Sequence, residues 1–333
     1  MRDDPAAAER RIVRSWRMLT GGPDVRDGDR PTLLAVSGGA DSSALALALG
    51  RRPGVLAIGH VVHDMRSKKD AEADREVVEE LGERLGLPVR IERVRLGKGN
   101  AEASARQLRY EALAGLADDA GCRYVATAHQ ADDVLETLLA NLVRGTGPRG
   151  LRGPAHRRAI SAGVTLVRPM LRVTRAQAEA ICRKAHWRWV EDETNVDPGG
   201  ADAPLRAALR ERVLPELEAL RPGAALRAAR GAEAVGEAVR VVEGVVGGAW
   251  ASMAVEREDA VELEREAFGA CPAAVREGLL RRVIRHFGDA GHDRLSASTA
   301  RSLLVWIDAG QGSRVVAGVR FEIAGAVLRA TRA

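Results

Sequence analysis

The sequence predicts an α/β protein, a parallel sheet covered on both faces by helices, followed by a smaller, mainly helical domain with a few short strands. Three observations carry this. Short apolar runs alternate with helical stretches from Thr32 to Ala185, the pattern of a parallel sheet buried on both faces. A glycine-rich turn follows the first of those runs directly. Beyond residue 205 the periodicity is helical, and only brief alternating stretches near the C-terminus read as strands.

Taken in order, Ile12, Val13, Trp16 and Leu19 recur at helical spacing over residues 9–19 and predict a leading amphipathic helix. Strands are predicted at Thr32 to Val36, Val55 to Val62, Val89 to Val94, Tyr124 to Ala128 and Val164 to Val167. Helices are predicted between and after them at Ser43 to Leu49, Ala71 to Leu85, Glu102 to Ala120, Asp132 to Leu142 and Arg175 to Ala185. Arg144 to Gly163, rich in glycine and arginine and poor in periodicity, reads as a loop. The run Asp-Pro-Gly-Gly-Ala-Asp-Ala-Pro at 197–204 is a break, and the domain boundary is placed beside it: 1–200 for the sheet domain, with 1–30 as leading helix and linker, and 201–333 for the second domain. There, helices are expected near 205–220, 224–250, 272–287 and 296–309, and strands near 314–317, 319–323 and 326–330.

The chain has 333 residues, enough for two domains with a core each. Its net charge is +5, and all but Lys68, Lys69, Lys98 and Lys184 of its basic residues are arginines. Cys122, Cys182 and Cys271 stand far apart without a C-x-x-C pair, which excludes a cysteine-built zinc site and a disulfide framework and fits a reducing compartment. No secretory signal is visible, and no uncharged apolar run approaches the roughly 20 residues needed to cross a bilayer. A cytoplasmic protein without membrane contact is expected. The oligomeric state is left open, a homodimer included.

The loop Ser37-Gly38-Gly39-Ala40-Asp41-Ser42 joins a buried strand to a helix. Such a turn binds anions, because backbone N–H groups and the helix dipole face the ligand and glycine allows close approach. Asp41 is unexpected there. A carboxylate beside phosphate needs a cation between them, for which Mg²⁺ is the natural candidate. The loop matches neither the G-x-x-x-x-G-K-[ST] pattern of γ-phosphate transfer nor the G-x-G-x-x-G dinucleotide fingerprint. The plainer alternative is an ordinary glycine-rich strand–helix turn, which Asp41 and Ser42 at these offsets directly after a strand disfavour.

Ser-Gly-Gly-Ala-Asp-Ser resembles the S-G-G-x-D-S loop of the PP-loop ATP-pyrophosphatases. The resemblance implies a Rossmann-like, adenine nucleotide alpha hydrolase-like fold. It also implies cleavage of ATP between the α and β phosphates with adenylation of a substrate oxygen. The loop then holds the leaving pyrophosphate through Ser37, Gly38, Gly39, Ala40, Asp41 and Ser42. Four further stretches resemble the tRNA(Ile)-lysidine synthase family: His60 to Arg66, Glu102 to Tyr110, Ala126 to Thr137 with Arg144-Gly145-Thr146-Gly147, and Arg168-Pro169-Met170-Leu171 through Glu191 to Asn195 to Arg210 and Val213-Leu214-Pro215. They follow the family's order over residues 32–217. That family adenylates C2 of the wobble cytidine of tRNA(Ile) bearing a CAU anticodon, then lets the lysine amine attack, releasing AMP. ATP, Mg²⁺, free L-lysine and this tRNA are therefore the implied cofactors and partners.

The residues agree with that chemistry. Asp133 and Glu136 lie three apart on a helix and share a face; two such carboxylates can hold an ammonium group, and Arg109 can hold a carboxylate bidentately. The family's lysine-binding residues match Arg109, Asp133 and Glu136. Without the resemblance, helix-dipole acids and a surface arginine would explain them as well. His60 and Arg66 are expected near the nucleotide; His60 and His63 lack the further ligands of a metal site. His129 is either a proton acceptor for the attacking amine or a loop hydrogen bond, and Asp41, His129 and Asp133 form the expected catalytic set. Trp187 and Trp189 are read as core rather than base-stacking residues.

From Arg144 to Arg188 there are eleven basic residues against one acid, Glu179. A cationic tract of this kind can dock a polyanion, although a solvated arginine-rich loop is the plainer alternative. Arg144, Arg149, Arg152, Arg206 and Arg210 are the expected tRNA contacts. The match departs from the family at Asp64, where it has glycine, and at Arg206-Ala207-Ala208-Leu209-Arg210, which lacks its asparagine and follows an apparent insertion at 199–204. The part after residue 220 is similar to the family's short form and is expected to serve tRNA binding. A tRNA thiolase is the rival enzyme, disfavoured by the isolated cysteines. A non-catalytic nucleotide- or RNA-binding module is the rival of another class, disfavoured by the intact acids.

Overall fold

The computed structural model describes residues 4–63, 68–95, 101–191, 205–288 and 295–333. By its contacts the chain forms two compact units, one of residues 1–140 and 153–231, the other of 141–152 and 232–333. The stretch 205–231 thus groups with the sheet unit, and the segment 141–152 with the other.

The first unit carries α1 (Pro5–Leu19), β1 (Thr32–Ala35), α2 (Ala40–Leu49), β2 (Val55–His63), α3 (Lys68–Leu85), β3 (Val89–Val94), α4 (Ala101–Asp119) and β4 (Tyr124–Ala126). Then come α5 (Ala131–Val143), α6 (Pro148–Leu151), β5 (Arg157–Ala159), β6 (Thr165–Val167) and α7 (Arg175–Lys184), the end of α5 and all of α6 belonging to the second unit. The six-stranded sheet has the order β3-β2-β1-β4-β6-β5, parallel throughout except for β5, which runs antiparallel to β6. The expected parallel α/β domain is present. The loop expected from Arg144 to Gly163 instead holds α6 and the edge strand β5. Arg157-Arg158-Ala159 is exposed along its whole length and carries no apolar alternation, so only its pairing to β6 makes it a strand.

Strand order reverses between β1 and β4. To one side of β1 lie β2 and β3, to the other β4 and β6. In a doubly wound sheet a crevice opens at such a reversal, outside the carboxyl ends of the two strands. Leu34 pairs with Ala126, so the chain leaves β1 into Ser37–Gly39 beside the point where it leaves β4 into Thr127–Gln130.

One face of the sheet is covered by α1, α2, α3 and α7, with Ile12, Trp16, Leu45, Leu81, Ile181 and Trp187 in its core. Trp187 is buried and Trp189 packs against the same cluster, as expected of core residues. On the other face Tyr110, Leu113 and Leu116 of α4 pack on Leu33, Val125 and Leu166. The connection after α1 is pinned by Arg30, fully buried, whose guanidinium donates to the carbonyls of Arg17, Gly22 and Val25.

After α7 the unit continues with α8 (Leu205–Ala208), one π-helical turn (Leu209–Val213) and α9 (Leu214–Leu220). The second unit contains most of α10 (Ala224–Met253), then β7 (Ala254–Glu256), β8 (Ala260–Glu264), α11 (Arg265–Ala270), α12 (Ala273–Phe287), α13 (Ala297–Ala309), β9 (Ser313–Val316), β10 (Val319–Ala324) and β11 (Val327–Arg332). Its five-stranded antiparallel sheet has the order β7-β8-β11-β10-β9. Trp250, Phe268, Leu279, Leu303 and Phe321 lie in its core. The expected helices and terminal strands are there, joined by β7, β8 and α11, which were not anticipated.

Candidate active site

The glycine loop forms around its two serines. Ser42 Oγ accepts from the Ser37 backbone N–H at 3.1 Å, donates to the Gly39 carbonyl at 3.1 Å and lies 3.2 Å from Ser37 Oγ. Gly38 has φ +92°, and a β-carbon there would lie 3.2 Å from Asp74 Cα. Both the left-handed backbone and the close approach disfavour a side chain there. The carbonyl of Gly38 accepts from the Val190 N–H at 3.0 Å, so the segment that follows α7 clamps the loop. His60, buried on β2, donates from Nδ1 to the Val36 carbonyl at 2.8 Å and supports the strand end immediately before the loop. Arg66, Asp64 and the insertion at 199–204 lie outside the described residues.

Asp41 stands in the first turn of α2. Its residue is half-buried, yet Oδ1 is buried with no hydrogen-bond partner. Burial, and after it the carboxylate of Asp133, raise its pKa to about 7, with Arg175 acting in the opposite sense. An orphaned carboxylate oxygen beside an anion-binding turn is the donor a hard cation takes together with phosphate oxygens and water. Among the described residues no three metal-ligating side chains cluster; Asp41 is the residue that could hold a cation shared with a bound phosphate.

The second segment comes off β4. The side chain of Gln130 accepts from the Asp132 N–H at 2.7 Å, while Asp133 Oδ2 accepts from the Gln130 N–H at 2.9 Å. This reciprocal cap starts α5 and fixes Asp133. Asp132 is spent elsewhere, its Oδ2 accepting from the N–H of Arg175 at the start of α7 at 3.0 Å. Glu136, one turn on, is 4% exposed. Burial raises the carboxyls of Asp132 and Asp133 above their ordinary value, opposed in Asp133 by the Gln130 N–H and by Arg210.

The carboxylate pair is occupied by a cation of the chain itself. Arg210, on the π-helical turn, donates to Glu136 Oε2 from Nη2 at 2.7 Å and from Nε at 3.2 Å, and lies 3.9 Å from Asp133 Oδ1. Arg206 Nε is 3.6 Å from Glu136 Oε1. Two arginines read in the sequence as tRNA contacts therefore turn onto the acids read as the amine site. Burial alone would lower the Arg210 pKa, but Glu136 and Asp133 raise it.

His129 lies within the second segment, with Nδ1 3.1 Å from Thr127 Oγ1. Burial, followed by Arg168, Arg109 and Arg106, holds its pKa well below the usual range, so the imidazole is neutral at pH 7. Arg109 is exposed on α4, its guanidinium 5.5 Å from the centre of the Tyr110 ring. In the second unit Arg149 and Arg152 pair with Glu243 at 2.9 and 3.7 Å, and Arg144 is exposed beyond α5. Much of the cationic tract is likewise neutralised in place: Arg175 and Arg183 by Glu179, Lys184 by Glu9, Arg188 by Glu80. Sequence reasoning missed Tyr110, Arg106, Arg158 and Arg168, which gather around one ring from three separate segments.

Two of the cysteines are buried and poorly nucleophilic at neutral pH. Burial pushes the thiol of Cys122 to about 11 and that of Cys182 to about 12. No helix among the described residues is long and apolar enough to cross a membrane.

A PP-loop domain family matches residues 10–217. The chain is 39% identical over 248 residues to the tRNA(Ile)-lysidine synthase of Bordetella bronchiseptica, covering 72% of this chain and 68% of that one. It is 33% identical over 276 residues to that of Nostoc sp., covering 78% and 79%, and 39% identical over 242 residues to that of Salinispora arenicola, covering 69% and 68%. Among solved structures, a U34-tRNA thiolase of Methanococcus maripaludis superposes with a TM-score of 0.54 at 16% identity, over 69% of this chain and 79% of that one, which is a likeness of fold. With the Ser37–Ser42 loop and the Asp133–Glu136 pair placed in the same unit, the chain belongs to the PP-loop ATP-pyrophosphatases and, within them, to the tRNA(Ile)-lysidine synthase family.

Proposed function

We propose that this protein is an ATP-dependent carbon–nitrogen ligase that converts the wobble cytidine of tRNA(Ile) with a CAU anticodon to lysidine. In the first step the C2 oxygen of the cytidine attacks the α-phosphate of ATP and pyrophosphate leaves. In the second, the side-chain amine of lysine attacks C2, the C2–oxygen bond breaks, and AMP departs with that oxygen.

The backbone of Ser37 to Ser42 and the dipole of α2 hold the departing pyrophosphate. Asp41 would hold Mg²⁺, which screens the charge between that carboxylate and the phosphates. The observation that carries the lysine assignment is Arg210 at 2.7 Å from the buried carboxylate of Glu136. A buried carboxylate that holds a guanidinium can hold another cationic nitrogen, and left isolated it would be costly. On binding, a lysine ammonium takes that place between Asp133 and Glu136, and Arg109 takes the carboxylate. Neutral His129 accepts the proton released as the amine attacks. Arg144, Arg149, Arg152, Arg206 and Arg210 are assigned to tRNA, with Arg206 and Arg210 available to it once lysine releases them.

The test is incubation with ATP, Mg²⁺, labelled lysine and a tRNA(Ile) transcript bearing CAU. Label in the RNA with equimolar AMP and pyrophosphate is expected. ATP consumption that depends on a sulfur donor, or that ignores lysine, would overturn the assignment.

A further inference from the structure

Four guanidiniums converge on Tyr110. Arg158 stands 4.8 Å, Arg109 5.5 Å and Arg106 5.7 Å from the ring centre, and Arg168 donates from Nη2 to the phenol oxygen at 3.3 Å. Among the described residues none of the four pairs with a carboxylate. Arg168 is the sharpest case. It is 2% exposed, its other contact is Nη1 to the Ala155 carbonyl at 2.5 Å, and its Nε is buried without a partner. A buried cation held only by neutral groups, with three like charges around it, is unfavourable in isolation. It becomes favourable when an anion completes the site.

The arrangement says which anion. Arg106 and Arg109 share one face of α4, three residues apart, while Arg158 comes from the edge strand β5 and Arg168 from the end of β6. One carboxylate occupies one guanidinium fork, so a bound amino acid leaves three charges unanswered. The phosphates of ATP have their own site at Ser37 to Ser42. Tyr110 is 3% exposed and cannot offer its face to a base, whereas Arg106 and Arg158 are exposed. The ligand is therefore an anion carried on a chain that runs over the surface. Arg168, Arg109 and Arg106 also help to lower the pKa of His129, so the cluster lies within electrostatic reach of that residue.

We propose that Arg106, Arg158 and Arg168 form a phosphodiester-binding site for the RNA strand that carries the target base, distinct from the amino-acid site at Arg109. The proposal rests on the reading that the substrate is RNA, but not on which base modification follows. It accounts for the absence of a carboxylate partner among the described residues, and it joins Arg158 and Arg168 of the cationic tract to Arg106 around one ring.

The test is binding of the full chain to the tRNA(Ile) transcript and to a short single-stranded RNA of the anticodon-loop sequence, without ATP or lysine, over a salt series. Arg158→Gln and Arg106→Gln are exposed changes that leave the fold intact. Each is expected to weaken binding roughly five- to tenfold at 0.1 M salt and to flatten the log–log salt slope by about 0.7–0.9. The KM values for lysine and ATP, measured with saturating tRNA, stay within about twofold on the same reasoning that phosphate contacts are non-covalent and additive. A raised lysine KM with unchanged RNA affinity would reassign the cluster to the amino-acid carboxylate. A raised ATP KM alone would reassign it to the nucleotide, and unchanged values throughout would refute a ligand site. Should the RNA never acquire lysine while both variants still lose RNA affinity, the lysine reading falls and this site stands.

Discussion

Replacing Asp41 by asparagine should make the ligand-free protein more stable, and more so as pH rises. The folded pKa of Asp41 is about 7, against an ordinary 3.8. Below pH 3.8 the carboxyl is protonated in both states. Between 3.8 and 7 the unfolded chain has lost the proton while the folded chain keeps it, so the folded state binds more protons and stability falls with rising pH. Above 7 the loss is complete. At about 1.4 kcal/mol per tenfold change in acidity it reaches about 4 kcal/mol, and about 2–3 kcal/mol of it accrues between pH 5 and 8. The half-buried position of the residue lets some water reach the other oxygen, so these are upper values. Asparagine does not titrate. Urea unfolding of both proteins at pH 5, 6, 7 and 8, followed by a probe in the first unit, should show the stability difference widening by up to that amount. Adding ATP and Mg²⁺ should then stabilise the native protein by mass action and leave the asparagine variant unmoved. A difference constant from pH 5 to 8 would refute the reasoning, since it would mean that the orphaned oxygen carries no desolvation cost.

Other expectations follow from the same geometry. Asp41→Ala should abolish adenylation, read as ATP-dependent AMP formation with tRNA present. Glu136→Gln removes the charge that holds Arg210 at 2.7 Å; the lysine KM should rise tenfold or more, since a charge-assisted bond contributes about 1.5–3 kcal/mol, while adenylation persists. Equal loss of both half-reactions would refute that division. Gly38→Ala puts a β-carbon 3.2 Å from Asp74 Cα at φ +92°, and should cost about 1–3 kcal/mol and most ATP affinity, measured by thermal unfolding and nucleotide titration. Alkylation at pH 7.5 should leave Cys122 and Cys182 unmodified by mass spectrometry and the activity intact, because their thiols titrate near 11 and 12; thiol-sensitive turnover would revive a sulfur-transfer mechanism.

What the sequence discloses about this protein depends on how far apart the cooperating residues lie. The phosphate loop is six consecutive residues, and its chemistry is written in backbone conformation that glycine makes visible. Asp133 and Glu136 are three apart on a helix, so helical geometry predicts that they share a face. Arg210 and Glu136 are 74 residues apart, and Arg168 and Tyr110 are 58 apart. No periodicity relates such pairs. Charge counted along the chain misleads for the same reason, because the partners of Lys184, Arg188 and Arg149 are Glu9, Glu80 and Glu243. Strand β5 was hidden because an exposed edge strand has no apolar alternation to read.

The two arginine sets then divide the chemistry. Arg206 and Arg210, on α8 and a π-helical turn, both face the buried Glu136 of α5, and Arg210 also approaches the half-buried Asp133. Single π-helical turns recur where a helix is locally re-aimed at a functional group, and here the extra backbone residue directs Arg210 at Glu136. Arg106, Arg158 and Arg168 face no acid among the described residues. One set is neutralised within the chain and, under the proposals above, yields to a competing ammonium; the other, on the same proposals, takes an anion. An enzyme that must bind a cationic amino acid and a polyanionic RNA around one reacting base needs both kinds of site, close together but not cancelling each other. His129, held neutral by burial and the surrounding guanidiniums, is then available, under the proposed mechanism, to take the proton that the incoming amine must lose.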